Sequence, residues 1–129
     1  MLHIVKTSKN VNSAATDLEE AVKRNGFGVM HVYDLKEKLK EKMIDFPNQC
    51  KILEVCNPKQ AAGILAEDMS VCLALPCRIA VYEQEGVTLI GTILPSAMLR
   101  MFPGAKILEE KAYEVEMALI KMIEEAMGE

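Results

Sequence analysis

None of the four cysteines in this 129-residue chain form a Cys-x-x-Cys pair, so a structural zinc site has no sequence support. A Ser/His/Asp triad, an HExxH helix and a phosphate-binding loop are also missing, and with them the signatures of the commonest hydrolases and nucleotide enzymes. An excess of basic residues is lacking too: the formal charge is -4, which argues against nucleic acid as a partner. Long apolar runs are absent. The longest, Val71 to Val81, is interrupted by Arg78 and far too short to span a bilayer. The opening residues MLHIVKTSKN lack the charged n-region and apolar h-region of a secretory signal. The expectation is a soluble, cytoplasmic protein with no membrane partner, whose cysteines are thiols rather than a disulfide framework.

What is present fits one folded domain over residues 1–129. Hydrophobic residues make up 50% of the chain and charged residues 26%, a balance that supports a packed core rather than disorder. The length is enough to bury that core without disulfides or metal. No linker, repeat or low-complexity stretch divides it.

Leu2 to Thr7 is a short apolar run suited to a first strand. Asn12 and Ser13 are candidate caps for a helix running to about Arg24, because their side-chain oxygens can accept from free backbone N–H groups. Ala15, Leu18 and Val22 share one face of it, and Asn25-Gly26 ends it. Phe27 to Tyr33 is apolar at nearly every position and reads as a central strand. Asp34, three residues before Glu37, opens a second helix with Leu35, Leu39 and Met43 on one face. Lys51 to Val55 is the third strand, and Asn57-Pro58 starts a short third helix through Leu65. From Val71 the odd positions are apolar. An extended segment to Leu75 is therefore expected before Pro76, with a fourth strand from Arg78 to Glu83. Gln84-Glu85-Gly86 marks a hairpin into a fifth strand, Val87 to Ile93.

The chain closes on a long helix, about Ala105 to Met127. Leu108, Ala112, Val115, Leu119, Met122 and Ala126 make its core stripe. Met117, Ile120, Ile123 and Met127 widen the apolar surface beyond what one sheet requires. A homodimer that uses this C-terminal helix is the preferred explanation; a C-terminus wrapped within one subunit is the other. The fold class is α+β, an α/β two-layer sandwich: a five-stranded mixed sheet with helices packed on it, in the order β-α-β-α-β-α-β-β-α.

Several stretches together resemble the domain of unknown function 302 family. They are Gly26-Phe27-Gly28-Val29, Ile52-Leu53, Cys56-Asn57-Pro58 and Leu75-Pro76-Cys77, then Leu94-Pro95 and Met98-Leu99. The resemblance covers nearly the whole chain and implies a small α/β domain; it implies no particular activity. Cys50 and Cys72 have no place in its pattern.

Cys56, Asn57, Pro58, Cys77 and Arg78 are the candidate ligand or reactive-thiol site. Cys56 lies between a strand end and a helix start, where free N–H groups and the helix dipole favour a thiolate. The alternative is a small buried hydrophobe in a turn. Cys77 shares its parity with Leu75 and Ile79, which places it on the core face, whereas Arg78 points the other way. Topology decides whether the two cysteines meet, and the expectation is one common sheet edge. Met98 and Met101 have the chemistry of copper(I) ligands, but core filling is the reading adopted. His3 and His31 are placed in strands with no motif around them, and the paired glutamates of the last helix read as solvated surface. No cofactor is implied. The function expected is a dimeric small-ligand or protein-binding module without a complete catalytic set. The alternative is redox or sulfur-transfer chemistry, with Cys56 as nucleophile and Cys77 as resolving partner.

Overall fold

A computed structural model describes residues 1–128. The elements in chain order are β1 (Leu2–Thr7), α1 (Val11–Arg24), β2 (Gly28–Asp34), α2 (Leu35–Glu41), β3 (Cys50–Cys56), α3 (Pro58–Glu67) and a 3-10 helix (Met69–Ala74). After these come β4 (Cys77–Gln84), β5 (Val87–Ile93), α4 (Pro95–Leu99) and α5 (Ala105–Met127). The class is α+β, and the strands form one sheet in the order β1-β5-β4-β3-β2.

Every pairing in that sheet is antiparallel, so the expected mixed sheet is corrected. The reason lies in the crossover after β3. Ten residues of α3 extend about 15 Å, and the six-residue 3-10 helix, which packs on α3, covers most of that distance at about 2 Å per residue. The chain therefore re-enters at the end it left, and Val55 faces Cys77 across the ladder.

Three local expectations also change. Phe27 to Tyr33 does not form a central strand; β2 is the edge and pairs with β3 alone. The ladder slips between Val29 and His31, and the intervening Met30 is 64% exposed. That extra residue makes the run look uniformly apolar, while within β2 itself only Val29 and Val32 pack against the core and Phe27 is buried just before it. Val71 to Leu75 is not extended, because Asp68 Oδ1 accepts from the Ser70 amide at 2.9 Å and its hydroxyl at 2.6 Å, starting a helical turn. Val71 is buried and Leu73 is left 83% exposed. Helix α1 begins earlier than Asn12, since Asn10 Oδ1 accepts from the Ser13 amide at 2.8 Å and takes the cap role.

The remaining punctuation is as expected. Asp34 caps α2 through the Glu37 amide at 3.1 Å. Gly26 closes α1 at φ 79°. Glu85 and Gly86 both take positive φ in the two-residue loop between β4 and β5, the twist that suits a tight hairpin.

The core lies between one face of the sheet and the helices. Leu53, Val55, Cys77, Ile79, Val81 and Ile90 supply the sheet side. On the helix side, Leu18 and Val22 of α1 are buried with the full predicted stripe of α5 from Leu108 to Ala126, and α5 packs on α1, α3 and α4 along its length. Much of the extra apolar width of α5 is used inside the chain: Ile123 is fully buried, and Ile120 and Met127 are half-buried. The end of α5 is also tied down. Lys9 Nζ donates to the Ala126 carbonyl at 2.8 Å while pairing with Asp17, and so sets a cation at the negative end of the helix. Glu125, placed on the solvated face by sequence, accepts from Arg24 of α1 at 3.1 Å in an ion pair at the surface.

Candidate functional site

The five predicted site residues lie at one end of the sheet, where β3 leaves and β4 enters. The fold that brings them there is the out-and-back excursion of α3 and the 3-10 helix. Asn57 caps α3 by accepting from the Gln60 amide at 3.2 Å, and Pro58 occupies the first turn. The Asn57 amide also reaches the Gly26 carbonyl at 3.5 Å, which links the helix start to the end of α1.

Between β3, α3, the 3-10 helix, α4 and α5 lies an apolar slot. Cys56, Cys77, Gln60, Leu75, Met98 and Leu99 are among its walls. Its volume is about 30 Å3, room for one or two water molecules. Leu75 and Met98 also line a surface cleft of about 300 Å3 that includes Pro76, Arg78 and Ile93. The two side chains therefore stand between the slot and an open approach.

The expected meeting of Cys56 and Cys77 at one sheet edge is what the topology gives. Cys77 is opposite Val55, the residue before Cys56. Their electrostatics differ from what the helix start implied for Cys56. Burial pushes its thiol up from the ordinary value despite the adjacent helix. The Cys77 thiol is pushed up to about 11, mainly by burial and further by the nearby Cys56. Cys50, at the other end of β3, is also raised, by burial and then by Asp34. Cys72 is exposed on the 3-10 helix.

Arg78 points away from Cys77, as alternation requires, and sits 3.5 Å from Glu54. Neither histidine joins the thiols. His3 is on β1, three strands from β3, and His31 packs edge-on against Tyr33 with ring centroids 4.2 Å apart. Among the described residues no group of three or more His, Cys, Asp or Glu is placed to hold a metal. Met98 faces the slot, and Met101 lies 76% exposed outside it.

Sequence reasoning missed Gln60. Its Oε1 is buried with no hydrogen-bond partner. A signal was available: Asn57-x-x-Gln60 has the spacing of a capping box. In that motif the Gln oxygen would accept from the cap residue's own amide, but here it has no protein partner. An acceptor left unsatisfied would cost about 1–3 kcal/mol, and the adjoining slot has room for a donor as small as water.

Glu116 of α5 holds the far wall. Its Oε1 accepts from the Ser96 amide at 3.1 Å and the Ser96 hydroxyl at 2.6 Å, which supplies the cap that Leu94 cannot give α4. Glu116→Ala is expected to cost about 1–2 kcal/mol in urea denaturation and to speed amide exchange at Met98. Glu116→Gln should keep most of that stability, since it retains an acceptor. An Ala variant as stable as the parent would show that α4 is held by packing alone.

No helix among the described residues is long and apolar enough to cross a membrane. No curated protein matches the chain. A crystal structure of an uncharacterized conserved DUF302 protein from Bacillus stearothermophilus is similar at 37% identity over 97% of each chain, with a TM-score of 0.88. The family model described as Domain of unknown function DUF302 matches residues 3–126, nearly the whole sheet and helix layer together with the slot, and the chain therefore belongs to the DUF302 family.

Proposed function

We propose that this protein is a homodimeric binding module whose slot takes a compact ligand, apolar in body and carrying one hydrogen-bond donor. The observation that carries the reading is Gln60, whose buried Oε1 has no protein hydrogen-bond partner, in the wall of a slot that is otherwise almost entirely apolar. A guest with one donor satisfies that oxygen, and its body takes up the apolar surface. Access runs from the Arg78 cleft past Leu75 and Met98. The cover can give way there, because Leu75 directly follows the 3-10 helix, which rests mainly on α3 and α4 rather than on the sheet. Four free cysteines suit a reducing, cytoplasmic setting.

The thiol-based alternative has less support. A nucleophilic cysteine needs a thiolate at neutral pH, and both Cys56 and Cys77 are shifted the other way.

Pyrrole, a five-membered ring with one N–H, is a suitable probe of the opened slot; it is larger than the closed space of about 30 Å3, so its binding requires Leu75 and Met98 to move outward. At just under 1 kcal/mol for each of its heavy atoms, binding corresponds to about 1 mM. In an NMR titration, amide shifts are expected at Cys56, Gln60 and Leu99, and bound pyrrole should slow alkylation of Cys56. Gln60→Met, similar in size but without the acceptor, should bind at least about tenfold more weakly. Shifts confined to other regions, or equal binding by the Met variant, would reject the slot reading. A Cys56 that alkylates as a thiolate at pH 7 would restore the thiol alternative.

A further inference from the structure

The sheet has a second face. Side chains on a strand alternate, so β4 sends Cys77, Ile79 and Val81 into the core and Arg78, Ala80 and Tyr82 to the opposite side. The cross-strand register carries that parity outward. Ala80 faces Ile52 on β3 and Gly91 on β5, and Gly91 faces Ile4 on β1. Leu2 pairs with Ile93 on the same side. An antiparallel sheet with one wet face normally alternates apolar-in with polar-out. Here the second face carries an apolar centre as well, with Lys6, Glu54 and Arg78 around it. Leu2 is 61% exposed, Ile4 47% and Ile93 51%.

We propose that this open sheet face is the surface on which two copies of the chain pack as a homodimer. The inference deepens the homodimer part of the function proposed above and is independent of what fills the slot. Three features favour a second copy over a foreign partner. The face is large: five strands at roughly 4.8 Å spacing and about six residues of length give a flat footprint on the order of 500 Å2. Two such faces reach the roughly 1,000 Å2 that a specific interface needs, before side-chain relief is counted.

The charge on the face is sparse. Arg78 pairs with Glu54 at 3.5 Å, and a further cation, Lys6 of the edge strand β1, stands opposite Leu89, so a two-fold contact carries little like charge across its centre. Coverage must also be constant. An apolar area of this size is rarely left bare on a soluble monomer, and a second copy is the partner present whenever the chain is. This moves the interface from the last helix, where Ile107, Tyr113 and Met117 remain exposed, to the opposite layer of the sandwich.

Sedimentation equilibrium of the full chain and two variant pairs tests this. Wild type at 10 μM is expected at twice the 14.3 kDa chain mass. Ile4→Glu with Ile93→Lys, both at exposed positions, should weaken the dimer at least 100-fold with an unchanged far-ultraviolet spectrum. Tyr113→Glu with Met117→Lys on α5 should leave it intact. Dissociation by the α5 pair alone would overturn the sheet-face assignment while keeping a homodimer. A wild-type monomer would overturn both and leave the slot untouched. If the sheet pair lost its fold, cross-linking of Ile93→Cys across the dimer axis would decide. Failure of that cross-link in a dimeric protein would count against the proposal.

Discussion

Raising the pH from 9 to 11 is expected to remove about 2–3 kcal/mol of folding stability through Cys77 alone. The thiol titrates near its ordinary value in the unfolded chain and at about 11 in the folded one. Below pH 9 it is protonated in both states and contributes no slope. Between the two values the unfolded chain releases a proton that the folded chain keeps, so the unfolded state binds fewer protons and stability falls as pH rises. Two pH units correspond to about 2.7 kcal/mol. The shifts of Cys56 and Cys50 are in the same direction and add to the slope. Lysines and tyrosines also titrate in this range, so the informative quantity is the difference between wild type and Cys77→Ala. Urea midpoints at pH 8, 9, 10 and 10.5 should converge as the wild type loses its advantage. Parallel profiles would mean that the Cys77 thiol is not held neutral by its surroundings. Alkylation gives a second readout. At pH 8 the thiolate fraction of Cys77 should be about 100-fold lower than that of an ordinary cysteine.

The same residue marks how far the sequence carries. Parity with Leu75 and Ile79 put Cys77 on the core face, and Asn57-Pro58 announced the start of α3; both depend on local rules of strand alternation and helix capping. The α5 stripe was legible for the same reason, because its 3.6-residue period repeats over 23 residues. What failed depended on single residues that redirect the chain. Asp68 turned an apparently alternating segment into a 3-10 helix, and Met30 looped out of β2 and broke its alternation. Sheet order could not be read, because it is decided by how α3 and the 3-10 helix retrace each other. The site was half legible. Cys56, Asn57 and Cys77 were identified as a group, but the thiol chemistry expected from the helix start is opposed by burial. Gln60 passed unnoticed because a glutamine in the first turn of a helix ordinarily faces solvent, and only the packing of α3 shows that its oxygen is buried. The open face was not legible either. Leu2, Ile4, Ile52 and Ile93 each look like core residues until the register shows on which side they lie.

Gly91 is where that open face and the sheet's edge pairing meet, and Gly91→Val is expected to cost about 3 kcal/mol or more. A Cβ at this position would lie 2.9 Å from Ile4 Cγ1 and 3.1 Å from the His3 carbonyl oxygen. The first contact can be relieved, since Ile4 is half exposed and can change rotamer. The second cannot, because the carbonyl belongs to the β1 backbone that pairs with β5. Two opposing effects must be weighed. Removing a glycine from a strand gains roughly 0.5–1 kcal/mol in backbone entropy, and valine's β-preference adds at most about 1 kcal/mol. Overpacking against a fixed backbone typically costs about 1–3 kcal/mol for a small enlargement. For Gly91→Ala the balance should be a net loss of about 1 kcal/mol. For valine the two extra methyl groups also press on Ile4, and the strain dominates. Denaturation in urea should show this order, with faster amide exchange along β1 in both variants. Ile4→Ala in the same chain should recover part of the valine deficit but not the part due to the His3 carbonyl. A Gly91→Val protein more stable than its parent would show that β1 can shift without penalty. It would also remove the geometric basis for treating the first strand as a fixed part of the dimer face.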